Sequence, residues 1–431
     1  MATRGPLSVP AFRTLWAAGL ISDTGDWLLL VALPIVIYQL TGSAAGTAAA
    51  FAAQLGPGIV LAPLGGRLAD TLDRRRLMIA LSALQALAPL PLLLVRDGRG
   101  LAIAYAVIVV QASLATLFDP AKNALLPALV DPDDLVAANS LTGLGSAVAR
   151  LAGGPLGGLL LAAGSLRTIV VADAVSFAVA GLLIARVPAH LVARAPRADA
   201  VGDAGGTARL SEGGLRRVIR APAVAAALLV ALVADIAQGI FVVLFIVFVA
   251  RRLHGGAAEI GLLRGVQAVG AVAGGLLLAA AGHRFRPIAL GATAALAFGI
   301  LDLAIWNGPV ITGSEAVYVV LFVCAGAPGV VMETAGISFL QRAAGDGERG
   351  RVFAALGLVE NAGQALGIVL AGVLTAPLGL MALLNLQGAL YLAAGALIIA
   401  LARRARPSRT AHRRMTGRRD DLAWGRRALD D

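Results

Sequence analysis

The chain has few of the residues from which redox, metal or disulfide chemistry is built. Its 431 residues include one cysteine, Cys324, and four histidines, His190, His254, His283 and His412. A single thiol cannot form a disulfide framework or a thiolate cluster. All four histidines fall outside the apolar segments described below, so a zinc or haem site within a membrane has almost no ligands available. We therefore expect no metal site and no cofactor.

Charged residues are also scarce, at 14% of the chain against 58% hydrophobic residues. No water-soluble architecture of this length fits that composition. The sequence also lacks a G-x-x-x-x-G-K-[ST] phosphate loop, and no polar segment is long enough to form a nucleotide-hydrolysing domain. A membrane enzyme or sensor is a further alternative, but the chain has neither a nucleophile motif nor a signalling domain. We expect a protein that is not an enzyme.

Long apolar runs fill most of the chain. About 20 apolar residues in a helix cross the ~30 Å of hydrocarbon in a bilayer. Most of these runs lack the polar stripe that a helix on the surface of a soluble protein shows. The sequence predicts an all-α membrane protein with twelve transmembrane helices at about 14–39, 45–68, 76–95, 101–120, 135–163, 167–186, 221–249, 257–281, 287–306, 314–337, 352–375 and 379–402.

The basic residues are distributed unevenly between the loops. With the amino terminus inside, the inner segments hold 29 of the 36 Lys and Arg residues and the outer loops hold 5. Because basic residues are retained on the cytoplasmic side, both termini are predicted to be cytoplasmic in the cell membrane. The formal net charge of +11 then reflects topology and not nucleic-acid binding. The basic tail could in addition touch anionic membrane lipid.

The long polar stretch 189–220 divides six predicted spans from six. We expect an amino-terminal bundle (1–188), a cytoplasmic linker (189–220), a carboxy-terminal bundle (221–402) and a basic tail (403–431). A weak internal repeat supports the division, since Asp119 and Glu333 lie 214 residues apart and Asp23 and Asp235 lie 212 apart. Internal repeats of this kind are typical of transporters that rock one bundle against the other.

The stretch GGRLADTLDRRRLM follows the second predicted span. It resembles the cytoplasmic loop signature of the major facilitator superfamily, G-x-L-A-D-R-x-G-R-R. The matching residues include Gly66, Asp70, Arg74 and Arg75, which the resemblance identifies as a cytoplasmic gate loop. We expect Asp70 to accept hydrogen bonds from the arginines or from neighbouring helix ends.

Other segments resemble one branch of that superfamily. In the fifth span, Gly154, Pro155, Gly157 and Gly158 fit the G-P-x-G-G element of its antiporters, although small-residue packing alone could explain them. The stretches FRTLWAAGLISDTGDWLLLVALPIVIYQLTGS, FDPAKNALLPALVDPDDLVAANSL and LQRAAGDGERGRVFAAL resemble the macrolide-efflux and siderophore-exporter branch. That branch implies two six-helix bundles and a monomer.

In the fold that this resemblance implies, spans 1, 4, 7 and 10 line a central cavity. Each of them carries a carboxylate, at Asp23 and Asp26, Asp119, Asp235 and Glu333. An ionised side chain at mid-bilayer costs about 2.5–3.5 kcal/mol, so we interpret these acids as functional. We predict proton coupling by Asp26 and Asp235 above all. For Asp119 and Glu333, pairing within a gate is an equal alternative.

Further residues complete the predicted site. Arg150 and Arg264 are candidate buried counter-charges, and Glu360 could pair across the interface between the halves. Candidate substrate contacts are Phe241, Phe245, Tyr318 and Phe322, for which ordinary core packing is the alternative.

These features predict a secondary active transporter that exports small lipophilic or cationic drugs or secreted metabolites in exchange for protons. The alternative within the same fold is a proton-coupled uptake symporter. The G-P-x-G-G resemblance favours export.

Overall fold

The computed structural model describes residues 5–95, 97–131, 134–188, 221–281, 286–344 and 348–404. Within these ranges twelve helices are long and apolar enough to cross a membrane, and there is no β-strand. The predicted all-α, twelve-helix fold of a multi-pass membrane protein is thus confirmed. Numbered in chain order, the helices are α1 Pro10–Thr41, α2 Ala44–Thr71, α3 Arg74–Leu87, α4 Leu101–Leu125, α5 Leu135–Ala163, α6 Leu166–Ala185, α7 Pro222–Arg252, α8 Ala257–Ala281, α9 Pro287–Asn307, α10 Glu315–Ala343, α11 Arg349–Leu378 and α12 Leu380–Arg404.

Local sequence explains several helix ends. Gly42 ends α1 in the left-handed conformation with φ of 62°, where glycine has no steric penalty. The side chain of Ser43 then caps α2 by accepting from the amide of Gly46 at 3.4 Å. Pro89 and Pro91 follow α3, and the chain continues there as a 3-10 helix over Leu90–Leu94.

Two helices extend by five or more residues beyond their predicted ends. α4 continues for five residues past the predicted 120, and α10 for six residues past 337. The polar last turns lie outside the apolar windows by which spans are predicted. Glu333 is consequently about 15 Å from the end of α10, at ~1.5 Å per residue, and so lies deeper in its helix than the sequence indicated.

The two sets of six helices pack in the same order. In the first, α1 packs against α5 and α6, α2 against α4, and α3 against α4 and α6. In the second, α7 packs against α11 and α12, α8 against α10, and α9 against α10 and α12. The main contacts between the halves join α5 to α8 and α2 to α11. The predicted linker 189–220 and tail residues 405–431 lie outside the described residues, so the domain limits stay predictions.

The halves meet at one end of the bundle. We call the side at which α1 begins and α12 ends the terminus side, and the opposite side the far side. A continuous core on the far side contains residues from both halves, such as Tyr38 and Ala48 with Phe241 and Phe245. On the terminus side, the described residues form two separate cores, one around Phe12 in the first half and one around Leu340 in the second. The space between the halves is therefore open to the terminus side.

Candidate functional site

The predicted acids lie along this open space, which we call the vestibule. Asp119 and Glu333 are exposed, and Asp23, Asp26 and Asp235 are half-buried. All five lie on α1, α4, α7 and α10, the helices that the superfamily resemblance assigned to the cavity. Both halves therefore present carboxylates at middle depth.

In the first half, the acids form one electrostatic group. Asp26 lies close enough to Asp23 and Asp119 for their charges to repel each other. The hydroxyl of Ser146 on α5 donates to Asp23 Oδ2 at 2.7 Å. Lys122 on α4 places its ammonium nitrogen 4.0 Å from the same oxygen. The sequence identified the acids but missed Ser146 and Lys122, because their partners come from other helices.

A small pocket lies beside Asp23 and Lys122. Its walls include Trp16 and Leu20 of α1 and Ser146 of α5. The indole nitrogen of Trp16 donates to the carbonyl of Leu141 at 2.9 Å, which fixes the orientation of the ring. The pocket thus combines one acid, one amine and an aromatic wall.

In the second half, the acids form a comparable group. Asp235, Glu333 and Glu360 are near enough for mutual repulsion. Asp235 packs against Gly363 of α11, where an added Cβ would lie 2.9 Å from the Cβ of Asp235. Glycine at position 363 therefore lets α7 and α11 approach closely at the level of the acid.

Arg150 and Arg264, the predicted counter-charges, form no ion pair with an acid of the described residues. Arg150 is exposed in the middle of α5. The guanidinium of Arg264 lies over the rings of Phe241 and Phe245, at 4.9 and 5.6 Å from their centroids, and donates to Gln267 at 3.3 Å. Asp23 pairs instead with Lys122. Cation–π contact takes the place of the expected acid partner of Arg264.

The candidate substrate contacts lie in a closed aromatic cluster on the far side. Phe241, Phe245, Tyr318 and Phe322 are each at most 3% exposed. Phe241 and Phe322 pack against Trp306, with their ring centroids 6.0 and 6.4 Å from its own. In this conformation they form core, so their contact with substrate stays a prediction that requires the far side to open.

The glycine-rich element of α5 packs in two directions. An added Cβ at Gly157 would lie 2.9 Å from the carbonyl oxygen of Leu28 in α1. An added Cβ at Gly158 would lie 2.7 Å from the carbonyl oxygen of Ala257 in α8, and the ring of Pro155 lies against Gly265. The element thus holds α5 between its own half and the other, a role that sequence alone left open.

In the predicted gate loop, the arginines bind backbone carbonyls. Arg74 donates to the carbonyl oxygens of Ala69 and Ala124, each at 3.1 Å, and Arg75 donates to that of Ala185. These bonds tie the ends of α2, α4 and α6 together. Asp70 is exposed at the end of α2.

Close approach of α2 to α4 requires Gly65, whose added Cβ would lie 2.8 Å from the carbonyl oxygen of Thr116. Gly66, the residue that matches the superfamily signature, has open space around its α-carbon.

Asp173 and Asp302 also lie within apolar helices, and the sequence predicts that each either snorkels to the membrane surface or is paired locally. Both are paired. Asp173 is fully buried and accepts from Gln111 at 3.1 Å. Asp302 is 2% exposed and accepts from Gln387 at 2.7 Å, and the carbonyl of that glutamine accepts from Trp306 at 2.8 Å. Snorkelling is excluded because neither acid reaches the surface.

A hydrogen-bonded contact also joins the halves on the far side. Arg251, at the end of α7, donates from Nε to the hydroxyl of Tyr38 at 2.9 Å and from Nη2 to the carbonyl of Gly42 at 2.6 Å. From the sequence, Arg251 is only one of the five basic residues of the predicted outer loops. These bonds must break if the far side opens.

The fold is shared with solved transporters. A bacterial homologue of the iron transporter ferroportin, crystallised in an inward-facing state, is 18% identical, with a TM-score of 0.69 covering 90% of this chain and 98% of that one. The nucleoside transporter NupG is 11% identical, with a TM-score of 0.69 covering 90% and 99%. A bacterial homologue of the human lysosomal transporter Spinster is 16% identical, with a TM-score of 0.60 covering 93% and 96%. These likenesses define the class by its fold, which the chain shares with solved membrane transporters.

Within that class, residues 1–419 match the family described as transmembrane secretion effector, and the chain belongs to this family of major facilitator transporters. It is also similar to the uncharacterized MFS-type transporter YfiS of Bacillus subtilis (strain 168), with 31% identity over 186 residues. That match spans 42% of this chain and 44% of YfiS, which is under half of the relative's length. The macrolide-efflux and siderophore-exporter branch stays a prediction.

Proposed function

We propose that this protein exports small lipophilic or cationic compounds, drugs or secreted metabolites, from the cytoplasm in exchange for protons. The observation that carries the proposal is the placement of carboxylates on α1, α4, α7 and α10, at middle depth in a vestibule open on one side and closed on the other. A site reached from one side at a time is what alternating access requires.

The terminus side is the cytoplasmic side in this proposal. Support comes from the 29 basic residues assigned to that side against 5 on the other. The vestibule then faces the compartment from which an exporter takes its substrate.

Competition for Asp26 and Asp235 provides the coupling. Each acid lies among other carboxylates, and neighbouring ionised acids repel one another. Binding of either a proton or a substrate cation relieves that repulsion. Once one of them is bound, the affinity for the other is lower. Because the two ligands exclude each other, the protein returns with protons after it has released substrate.

The proton gradient is large enough to drive this exchange. One proton moving down ~100 mV releases about 2.3 kcal/mol. One pH unit adds about 1.4 kcal/mol. Together they sustain a several-hundred-fold gradient of a neutral substrate, at about 1.4 kcal/mol per factor of ten.

Substitution of Asp26 and Asp235 tests the proposal. In inside-out vesicles with an acidic lumen, wild-type protein should accumulate a fluorescent cationic dye. Addition of the dye should also increase the release of protons from the lumen into the medium. D26N and D235N should insert normally but lose gradient-driven accumulation. E315Q, which changes an exposed acid in the first turn of α10, is the matched control and should retain it. Unchanged accumulation in both vestibule variants contradicts the coupling, and gradient-driven movement in the opposite direction indicates an uptake symporter.

A further inference from the structure

Lys122 is the one lysine among the 36 basic residues of the chain. It lies on α4, one turn after Asp119, and its side chain is 14% exposed. A lysine ammonium is a compact charge on a flexible stem, whereas arginine binds carboxylates through a fixed planar fork. A lysine is therefore displaced from a carboxylate by another cation more easily than an arginine is.

The pair that Lys122 forms with Asp23 is loose. Its 4.0 Å separation exceeds hydrogen-bond distance, while Ser146 donates to the same oxygen at 2.7 Å. Among the described residues, the ammonium has no hydrogen-bond partner, although it carries three donors. Attraction between the charges, and not a directed bond, holds it near Asp23.

The surroundings give both groups room to separate. Gly19 leaves α1 without a side chain beneath the lysine, since an added Cβ would lie 3.5 Å from Nζ. Asp23 is 27% exposed, about twice the exposure of Lys122, so the acid is the more accessible partner from the vestibule. Trp16 supplies an aromatic wall beside the pair, suited to an apolar or cationic group.

We propose that Lys122 is a tethered cation that competes with substrate for Asp23, so that the pocket beside Trp16 selects amphiphiles that carry an amine. The substrate's ammonium displaces that of Lys122, donates to Asp23 and places its apolar body against Trp16. Lys122 thereby determines specificity, because weakly basic and neutral compounds do not bind Asp23 strongly enough to displace the lysine. This inference rests on the proposed export of lipophilic or cationic compounds and narrows their class.

Binding measured without a gradient tests the inference separately from transport. Full-length protein in detergent is titrated by calorimetry with three probes that share one hydrocarbon body: phenylbutylamine, phenylbutyramide and phenylbutyrate. Wild-type protein should prefer the amine to the neutral amide. K122Q should bind the amine about tenfold or more tightly than wild type, because the internal competitor is gone, with the amide unchanged. K122R, which keeps the charge, should not gain affinity, and D23N should lose the preference for amine over amide.

A structural role for Lys122 would give a different pattern. If Lys122 only stabilised the fold, K122Q would bind every probe more weakly than wild type. K122M, whose side chain is uncharged and of similar length, serves as a second variant, and its folding is checked by monodisperse elution. Unchanged or weaker amine binding in K122Q and K122M contradicts the inference. Loss of phenylbutyrate binding alone identifies Lys122 as an anion subsite and also overturns it. If amine binding behaves as expected but vesicles show no proton-driven export, the proposed function fails while this inference stands.

Discussion

At the scale of single residues, the structure separates acids that face the vestibule from acids that stabilise the bundle. Asp26 and Asp235 are half-buried beside other carboxylates. Asp173 and Asp302 are buried behind them and bonded to glutamines. A hydropathy profile treats all four as charges within apolar helices, so the glutamine partners of Asp173 and Asp302 could not be predicted from the sequence.

The bond network of Gln387 makes a testable prediction about stability. Gln387→Leu should leave both the indole nitrogen of Trp306 and the carboxyl of Asp302 without their partners in the core. An unsatisfied buried group costs about 1–3 kcal/mol, so we expect a lower thermal unfolding temperature in detergent. Asn385→Leu is the control, because the Asn307–Asn385 pair is exposed and its donor can bond to water instead. Equal unfolding temperatures for the two variants would contradict this role.

At the scale of helices, the close contact of α5 with α8 depends on glycine, which has no side chain, at position 158. Gly158→Ala would place a Cβ 2.7 Å from the carbonyl oxygen of Ala257 and 2.8 Å from the amide nitrogen of Gly261. Because both are backbone atoms, the two helices must separate. We expect a large loss of vesicle transport from G158A.

Gly154→Ala provides a matched control within the same element. Its Cβ would have Val31 as nearest neighbour, at 4.0 Å, so transport should be retained. Equal activity of G154A and G158A would show that the contact between α5 and α8 is not needed in the cycle.

The helices themselves were the most predictable level of organisation. Twelve spans could be placed from apolar length alone, with errors of a few residues at most ends. Packing register was less predictable. The sequence repeat aligned Asp23 with Asp235. The helix contacts give a different alignment. Gly153 of α5 packs against Thr24 and Trp27 of α1, and Gly363 of α11 packs in the same way against Leu232 and Asp235 of α7. By these contacts, Trp27 is the residue of the first half that corresponds to Asp235. The two alignments differ by one helical turn. The glycines at which helices touch therefore indicate the alignment of the two halves better than the acids do.

At the scale of the whole molecule, the two halves touch on the far side and are apart on the terminus side. The far side is held by the core in which Tyr38 and Ala48 of the first half pack with Phe241 and Phe245 of the second, by the glycine contact of α5 with α8, and by the bonds of Arg251 to Tyr38 and Gly42. No sequence pattern revealed this arrangement, since each contact joins residues that are distant in the chain. In the proposed cycle, this conformation is the one in which the vestibule is open to the terminus side.

The central claim is that proton binding at the vestibule acids controls which side is open. Two pairs of spin labels, on a background with Cys324 replaced by Ser, measure it directly: Thr71→Cys with Gln341→Cys on the terminus side, and Leu94→Cys with Val310→Cys on the far side. All four positions are exposed. A change between acidic and alkaline pH should lengthen one distance while it shortens the other, and this response should vanish when D26N and D235N are combined. Distances that stay fixed with pH, or that respond equally without the two acids, would contradict the account.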